Sequence, residues 1–77
     1  MSLDVRFENL QNRKRLLESD LERAVAELLS HLRASRDPKG RLVATFDPGA
    51  EPVSDRIERL EGEIALVRSD IDAIRDA

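Results

Sequence analysis

His31 is the one imidazole in this sequence, so it is the first candidate for chemistry. On a helix, its neighbours four residues away would be Glu27 and Ser35. A Glu–His pair can bind a metal ion weakly or move a proton, but a metal site needs further ligands and the sequence offers none at this spacing. We therefore interpret His31 as the end of an apolar helix face, partly hydrogen-bonded by Glu27.

Other polar patterns in the sequence also lack the arrangements that catalysis or cofactor binding requires. There is no Cys for a thiolate zinc site, and the three glycines are too scattered to form a phosphate loop. Acidic residues two apart, such as Asp70 and Asp72, point in different directions on a helix and do not form a catalytic pair. The sequence therefore predicts a protein that is not an enzyme, with no catalytic residue, no cofactor and no metal site.

The basic cluster of Arg13, Lys14 and Arg15 is the feature most typical of nucleic-acid binding. These side chains fan around a helix with Glu18 and Asp20 close by, whereas a phosphate-binding face usually carries less acid. The whole chain is acidic, with 13 Lys and Arg against 16 Asp and Glu. No apolar run is long enough to span a membrane, and no secretion signal is visible. These observations disfavour nucleic acid and membranes as partners and predict a cytoplasmic protein.

Two long amphipathic helices are the elements expected to position these residues. The first is predicted over about residues 4–34 and the second over about 54–76, with Ser54 as its N-cap. Neither segment contains a proline, and Leu, Ala, Glu and Arg dominate both. The chain is therefore predicted to form a single helix–loop–helix domain over residues 1–77.

The connector between the helices, residues 35–53, is predicted to have structure of its own. Residues 37–40 read Asp-Pro-Lys-Gly, which is typical of a type I turn followed by a left-handed glycine. The run 41–46 is the most β-prone part of the chain and predicts one short strand. Residues 34–36 could supply the other arm of a small β-hairpin, which would then have to pack on a helix or pair with a second chain.

The second predicted helix has an uninterrupted seam of apolar residues spaced alternately four and three apart. This heptad spacing is typical of coiled-coil-like helix pairing. The first helix repeats the spacing, but Lys14 and His31 interrupt its seam. The two seams match in an antiparallel helical hairpin that places Leu17 opposite Ile71. That alignment also brings Glu27 near Glu63.

Charges beside the seam favour a different pairing, with the second helix parallel to its own copy. In that arrangement Arg56 would meet Glu61 and Glu63 would meet Arg68, and both pairs are attractive. Exposed ion pairs contribute less than buried apolar layers, so we expect the antiparallel helical hairpin. The predicted fold class is therefore all-α, an antiparallel, coiled-coil-like helical hairpin whose ordered connector carries one short β-strand.

A two-helix monomer leaves part of its apolar surface exposed, which predicts association into a helical bundle. The first helix carries a second apolar stripe. Residues 47–49 read Asp-Pro-Gly, which predicts a second turn, and Phe46 lies between the two turns of the connector. The expected partner is a second copy of the chain, another protein, or both. The residues predicted to support self-association are Val25, Leu29, Leu32, Phe46, Ile57, Leu60, Ile64, Val67, Ile71 and Ile74.

These features predict a non-enzymatic helical module that acts in assembly or scaffolding. The layout is similar to that of small helix–strand–helix proteins of tailed-phage head–tail and packaging machinery, and this resemblance assigns no residue a role. It makes a virion-assembly component the first alternative, with the virion as its location. The second alternative is a small regulator that binds a partner protein through one helix.

Overall fold

The computed structural model describes residues 3–76, which form two antiparallel helices joined by a β-hairpin. Helix α1 spans Leu3–Ser30 and helix α2 spans Ala50–Arg75. Between them, strand β1 (Leu32–Arg36) pairs antiparallel with strand β2 (Leu42–Phe46). The structure confirms the two long helices and the helical hairpin that the sequence predicts.

The molecule is an elongated rod of 63 × 19 × 14 Å. Helix α1 has 28 residues, which corresponds to a length of about 42 Å. The remaining length of about 20 Å matches a five-residue β-hairpin with its turn. The β-hairpin therefore extends the rod beyond the end of the helices, and it does not fold back against them.

The apolar core lies between the two helices and follows the predicted seam. Ala24 is completely buried, so a small side chain stands at the position where α1 comes close to α2. Phe7, Leu10, Leu21 and Ile57 are partly buried and pack against the core. The buried members of this core are Leu17, Ala24, Leu60, Ile64, Val67 and Ile71.

The helices pair one heptad away from the predicted alignment. Glu27 forms an ion pair with Arg56, which lies seven residues before the predicted neighbour Glu63. Phe7 packs against the core, although pairing Leu17 with Ile71 would set it beyond the end of α2. A shift of seven residues keeps every seam position opposite another seam position, so the apolar pattern alone cannot distinguish the two alignments. The β-hairpin selects the observed one, because its ladder ties His31 to Asp47 through the Asp47 N–H and the His31 carbonyl.

Helix α1 ends at Ser30, four residues before the predicted end at residue 34. The prediction was wrong because Leu32 fits two patterns at once. It continues the helical spacing of Leu28, and it also begins the alternation of Leu32 and Ala34 with charged and polar residues that is typical of a strand. In the structure, Leu32 begins strand β1 and does not continue α1.

The connector contains two strands, whereas the sequence predicted one strand and offered residues 34–36 as the other arm of a β-hairpin. Leu32 pairs with Phe46, Ala34 with Ala44, and Arg36 with Leu42. The predicted turn over residues 37–40 is confirmed, since the Gly40 N–H donates to the Asp37 carbonyl at 2.9 Å and Gly40 has a φ of 80°. The Asp37 carboxylate also accepts hydrogen bonds from the backbone N–H groups of Lys39 and Arg41.

Helix α2 begins at Ala50, four residues earlier than predicted, so Ser54 lies inside the helix and is not its N-cap. Pro52 is accommodated because the first turn of a helix does not use its backbone N–H groups within the helix. Gly49 precedes the helix and has no side chain to cap it. Asp47 takes over this role, with Oδ1 accepting from the Gly49 N–H at 3.0 Å and its carbonyl accepting from the Ala50 N–H at 3.0 Å.

Candidate functional site

The β-hairpin presents an uncovered apolar face. Residues that pair across the strands share one side of a sheet, so Leu32 with Phe46 and Ala34 with Ala44 form a continuous apolar surface that Leu42 extends. We call these five residues the apolar face. All ten strand residues are exposed, with 71% of Leu42 and 51% of Phe46 accessible to solvent. Within residues 3–76, helix side chains approach this surface at Phe46, beside Leu28 and Ala50, and no element packs across it as a second layer.

Strand β2 also has an open edge. The Asp47 N–H donates to the His31 carbonyl and the Asp37 N–H donates to the Arg41 carbonyl. In this register, the backbone hydrogen bonds between the strands therefore join residues with odd numbers. Main-chain groups of an antiparallel strand alternate in direction. The backbone N–H and carbonyl groups of Leu42, Ala44 and Phe46 therefore point away from β1.

The two edges of the β-hairpin differ in charge. Strand β1 reads Leu-Arg-Ala-Ser-Arg, whereas β2 reads Leu-Val-Ala-Thr-Phe and has no charged residue. Proteins protect exposed strand edges from pairing with other chains by placing charges or prolines on them. Strand β1 has this protection in Arg33 and Arg36, and β2 does not.

The structure separates the residues predicted for self-association into two groups. The first group lies in the intrachain interface of the helices, where Leu60, Ile64, Val67 and Ile71 are buried and Ile57 and Ile74 are half-buried. The second group is exposed near the β-hairpin and consists of Val25, Leu29, Leu32 and Phe46. Val25 and Leu29 are neighbours on one face of α1, and we call this pair the α1 stripe.

A cluster of polar contacts anchors the β-hairpin to the helices, and we call it the junction cluster (His31, Arg33, Asp47 and Gly49). His31 Nδ1 donates to Asp47 Oδ1 at 2.9 Å, because a carboxylate can only accept. Arg33 Nη2 lies 3.2 Å from Asp47 Oδ2. His31 was predicted to be hydrogen-bonded by Glu27. That prediction was wrong, because Glu27 pairs with Arg56 and the turn of the chain brings Asp47 to His31.

Gly49 belongs to the junction cluster because of its size. A Cβ atom at this position would lie 2.9 Å from His31 Cε1 and 3.0 Å from His31 Nδ1, closer than van der Waals contact allows. Only a residue without a side chain lets the imidazole ring pack where it meets Asp47. Gly62 is different, since a Cβ there would meet nothing within 4 Å.

A shallow groove of about 360 Å³ lies beside β2, where the β-hairpin meets α2. Leu28, Phe46 and Ala50 contribute apolar surface to this groove. Its acidic rim consists of Asp47, Glu51 and Asp55. The groove is therefore suited to a side chain that is apolar along its length or basic at its tip.

Charge is divided along the rod. From His31 to Phe46 there are four basic residues (Arg33, Arg36, Lys39 and Arg41) and one acidic residue, Asp37. From Asp47 to Asp76 there are nine acidic and four basic residues. The β-hairpin is thus a basic segment at the end of an acidic pair of helices.

In the basic cluster of α1, Arg13 and Arg15 are exposed and Lys14 is paired with an acidic side chain. Lys14 is half-buried, and its Nζ lies 3.6 Å from Glu18 Oε1, one helical turn away.

Within residues 3–76, no group of three His, Cys, Asp or Glu side chains is placed to hold a metal ion. Over the same residues, neither helix has the length and apolar character needed to cross a membrane.

Comparison of the chain with protein-family models, curated proteins and solved structures found no match. The candidate site is therefore defined by its geometry, namely the apolar face, the open edge of β2 and the acidic groove beside it.

Proposed function

We propose that this chain is a non-enzymatic assembly module that associates with further copies of itself. The observation that carries the proposal is the β-hairpin, whose apolar face is exposed to solvent at the end of the rod. A two-stranded β-hairpin is marginally stable in water unless further elements pack on it, and the helices of the same chain hold this one at its base, through the junction cluster, without covering its apolar face. A second chain can cover that face.

Two surfaces are open to such association. Contact between α1 stripes would bring the helices of several chains side by side and give the helical bundle that the sequence predicts. Contact through the β-hairpin would leave the helices of different chains apart. The virion-assembly and regulatory alternatives require an exposed protein-binding surface too, and no contact or charge in the structure favours either of them over self-association.

Light scattering coupled to size-exclusion chromatography tests the proposal. We expect a mass above the chain mass of 8.7 kDa across the micromolar range, falling on dilution. A mass of 8.7 kDa up to millimolar concentration would contradict self-association. Retardation of a DNA duplex by that monomer would assign the basic β-hairpin to nucleic acid.

Replacing Phe46 identifies the surface that is used. We expect Phe46→Ser to weaken self-association about tenfold or more, since burial of a Phe side chain contributes about 1.5–3 kcal/mol. Leu66→Ser is the matched control, because Leu66 is also an exposed apolar residue but lies on α2, away from the β-hairpin. Equal dissociation constants for the two variants would mean that Phe46 is not in the interface.

A further inference from the structure

We infer that two copies of the chain join through the open edge of β2, pairing antiparallel about Ala44 into a four-stranded sheet of order β1-β2-β2-β1. This inference rests on the proposed self-association and specifies its partner and its geometry. The partner is a second copy, and the surface is one that each copy presents in the same form.

The direction of the backbone groups determines the register of this pairing. The N–H and carbonyl groups that point to the open edge belong to Leu42, Ala44 and Phe46. A two-fold axis through Ala44 places Leu42 of each copy opposite Phe46 of the other, and Ala44 opposite Ala44. This register uses every outward-pointing backbone group of both strands, and an antiparallel pair joins such residues by reciprocal hydrogen bonds. Shifting the register would leave some of these groups unpaired.

The side chains fit the same arrangement. Leu42 is the most exposed large side chain of the apolar face, and the pairing brings it next to Phe46 of the second copy, at the groove beside β2. The apolar faces of the two β-hairpins then lie on the same side of one sheet. The outer strand of each β-hairpin is then β1, which carries Arg33 and Arg36, and charged residues on an outer strand disfavour the addition of further strands. The assembly consequently stops at two copies.

Charge complementarity supports a second copy as the occupant. Extending the register by one residue sets Arg41 opposite Asp47 of the other copy, so each basic turn lies beside the acidic start of the other α2. Lys39 and Arg41 in the turn, like Glu51 and Asp55 at the groove, form no ion pair within residues 3–76. Two sets of opposite charges thus meet in a symmetric pair of chains.

This assembly has a distinctive shape. Antiparallel strands send the two helical arms in opposite directions, so only the β-hairpins overlap. We expect a maximum dimension of about 105 Å by small-angle X-ray scattering, because two 63 Å rods share only about 20 Å. A bundle formed through the α1 stripe would instead keep the helices side by side, at close to the 63 Å length of one chain.

Proline substitution provides the decisive test. Ala44→Pro removes an N–H that points to the open edge of β2, and Ala34→Pro removes the equivalent N–H on the open edge of β1. The two alanines face each other in the β-hairpin and are both exposed, so they form a matched pair. We expect Ala44→Pro to weaken dimerisation about tenfold or more and Ala34→Pro to leave the dissociation constant unchanged.

A disulfide test covers the case in which both prolines disrupt the β-hairpin. The chain has no Cys, so a single introduced thiol reports on its own position. Ala44→Cys places two thiols across the two-fold axis at a Cα separation of about 5.5 Å, which suits a disulfide. The same change at Ala34 places them about 14 Å apart, on the outer strands. We expect oxidation to cross-link the Ala44→Cys protein and not the Ala34→Cys protein.

These experiments distinguish a failure of pairing through β2 from a failure of self-association. An oligomer that survives Ala44→Pro and fails to cross-link through Ala44→Cys would overturn pairing through β2 and leave self-association standing. Dissociation by Ala34→Pro alone would move the contact to β1 and equally overturn the inference. A parent chain that stays monomeric at every concentration would overturn both.

Discussion

Ile64 and Phe46 are both large apolar side chains, yet Ile64 is 5% exposed and Phe46 is 51% exposed. Ile64 belongs to a helix that lies against another helix along most of its length. Phe46 belongs to a strand whose single neighbour lies in the plane of the sheet, where it can satisfy backbone groups but cannot cover a face. The helical hairpin therefore buries its seam within one chain, whereas the β-hairpin leaves its apolar face for another surface.

The helices and the β-hairpin contribute differently to the fold of this short chain. The helices bury apolar residues against each other and supply stability. The β-hairpin adds little burial, but its ladder and the junction cluster fix which turn of α1 meets which turn of α2. Substitutions in the two regions should consequently have different effects on folding and on association.

The largest effect on folding is expected at the centre of the helical seam. Ile64→Asp would bury a carboxylate without a partner among Leu17, Leu60 and other apolar residues. We expect a loss of about 4 kcal/mol or more, which would abolish cooperative thermal unfolding measured by circular dichroism. Leu66→Asp is the control, since Leu66 is exposed on the same helix and its replacement should change stability by no more than about 0.5 kcal/mol. Equal melting temperatures for the two variants would mean that the seam is not buried.

An intermediate effect is expected at the junction cluster. Gly49→Ala would force His31 away from its contact with Asp47, with an expected loss of about 1–3 kcal/mol. Gly62→Ala introduces the same methyl group into open space inside α2 and should stabilise the protein by about 0.5–1 kcal/mol. The two alanine variants thus have opposite signs in urea denaturation. Stabilisation by both would show that the junction does not constrain position 49.

The smallest effect is expected from the ion pair that reports the helix alignment. Glu27 and Arg56 are partly exposed, so their coupling in a double-mutant cycle should be about 0.5 kcal/mol at low salt and decline as salt is added. The same cycle between Glu27 and Glu63 should give no coupling in the observed alignment. Coupling to Glu63 in place of Arg56 would support the alignment predicted from the sequence.

Much of the fold could be predicted from the sequence because helix periodicity is repeated over many residues. The seam of α2 runs through seven apolar positions, and the structure buries its central members between the helices. The turn at residues 37–40 was also predictable, since Asp at its first position, Pro at its second and Gly at its fourth favour its backbone angles. Both features depend on residue types and spacings within one short stretch of the sequence.

The features that were missed depend on contacts between distant residues or on short, ambiguous patterns. The heptad repeat is unchanged by a shift of seven residues, so the alignment depends on the β-hairpin and could not be obtained from the seam. The start of α2 had a readable signal, because Asp47 followed by Pro48 is typical of a helix start, but Pro52 and Ser54 offered a competing one. The partner of His31 also depends on the β-hairpin, which reverses the chain and brings Asp47 back to His31. No helical spacing from His31 would have identified Asp47.

The antiparallel helices bring Leu3 and Asp76 to the same end of the 63 Å rod, opposite the β-hairpin. A tether attached near either residue would therefore hold the molecule by its helices with the β-hairpin facing solution. A surface coated in this way would present many open β2 edges to the solution. Coated particles would then adhere to one another through strands, and their spacing would be set by the length of the helices.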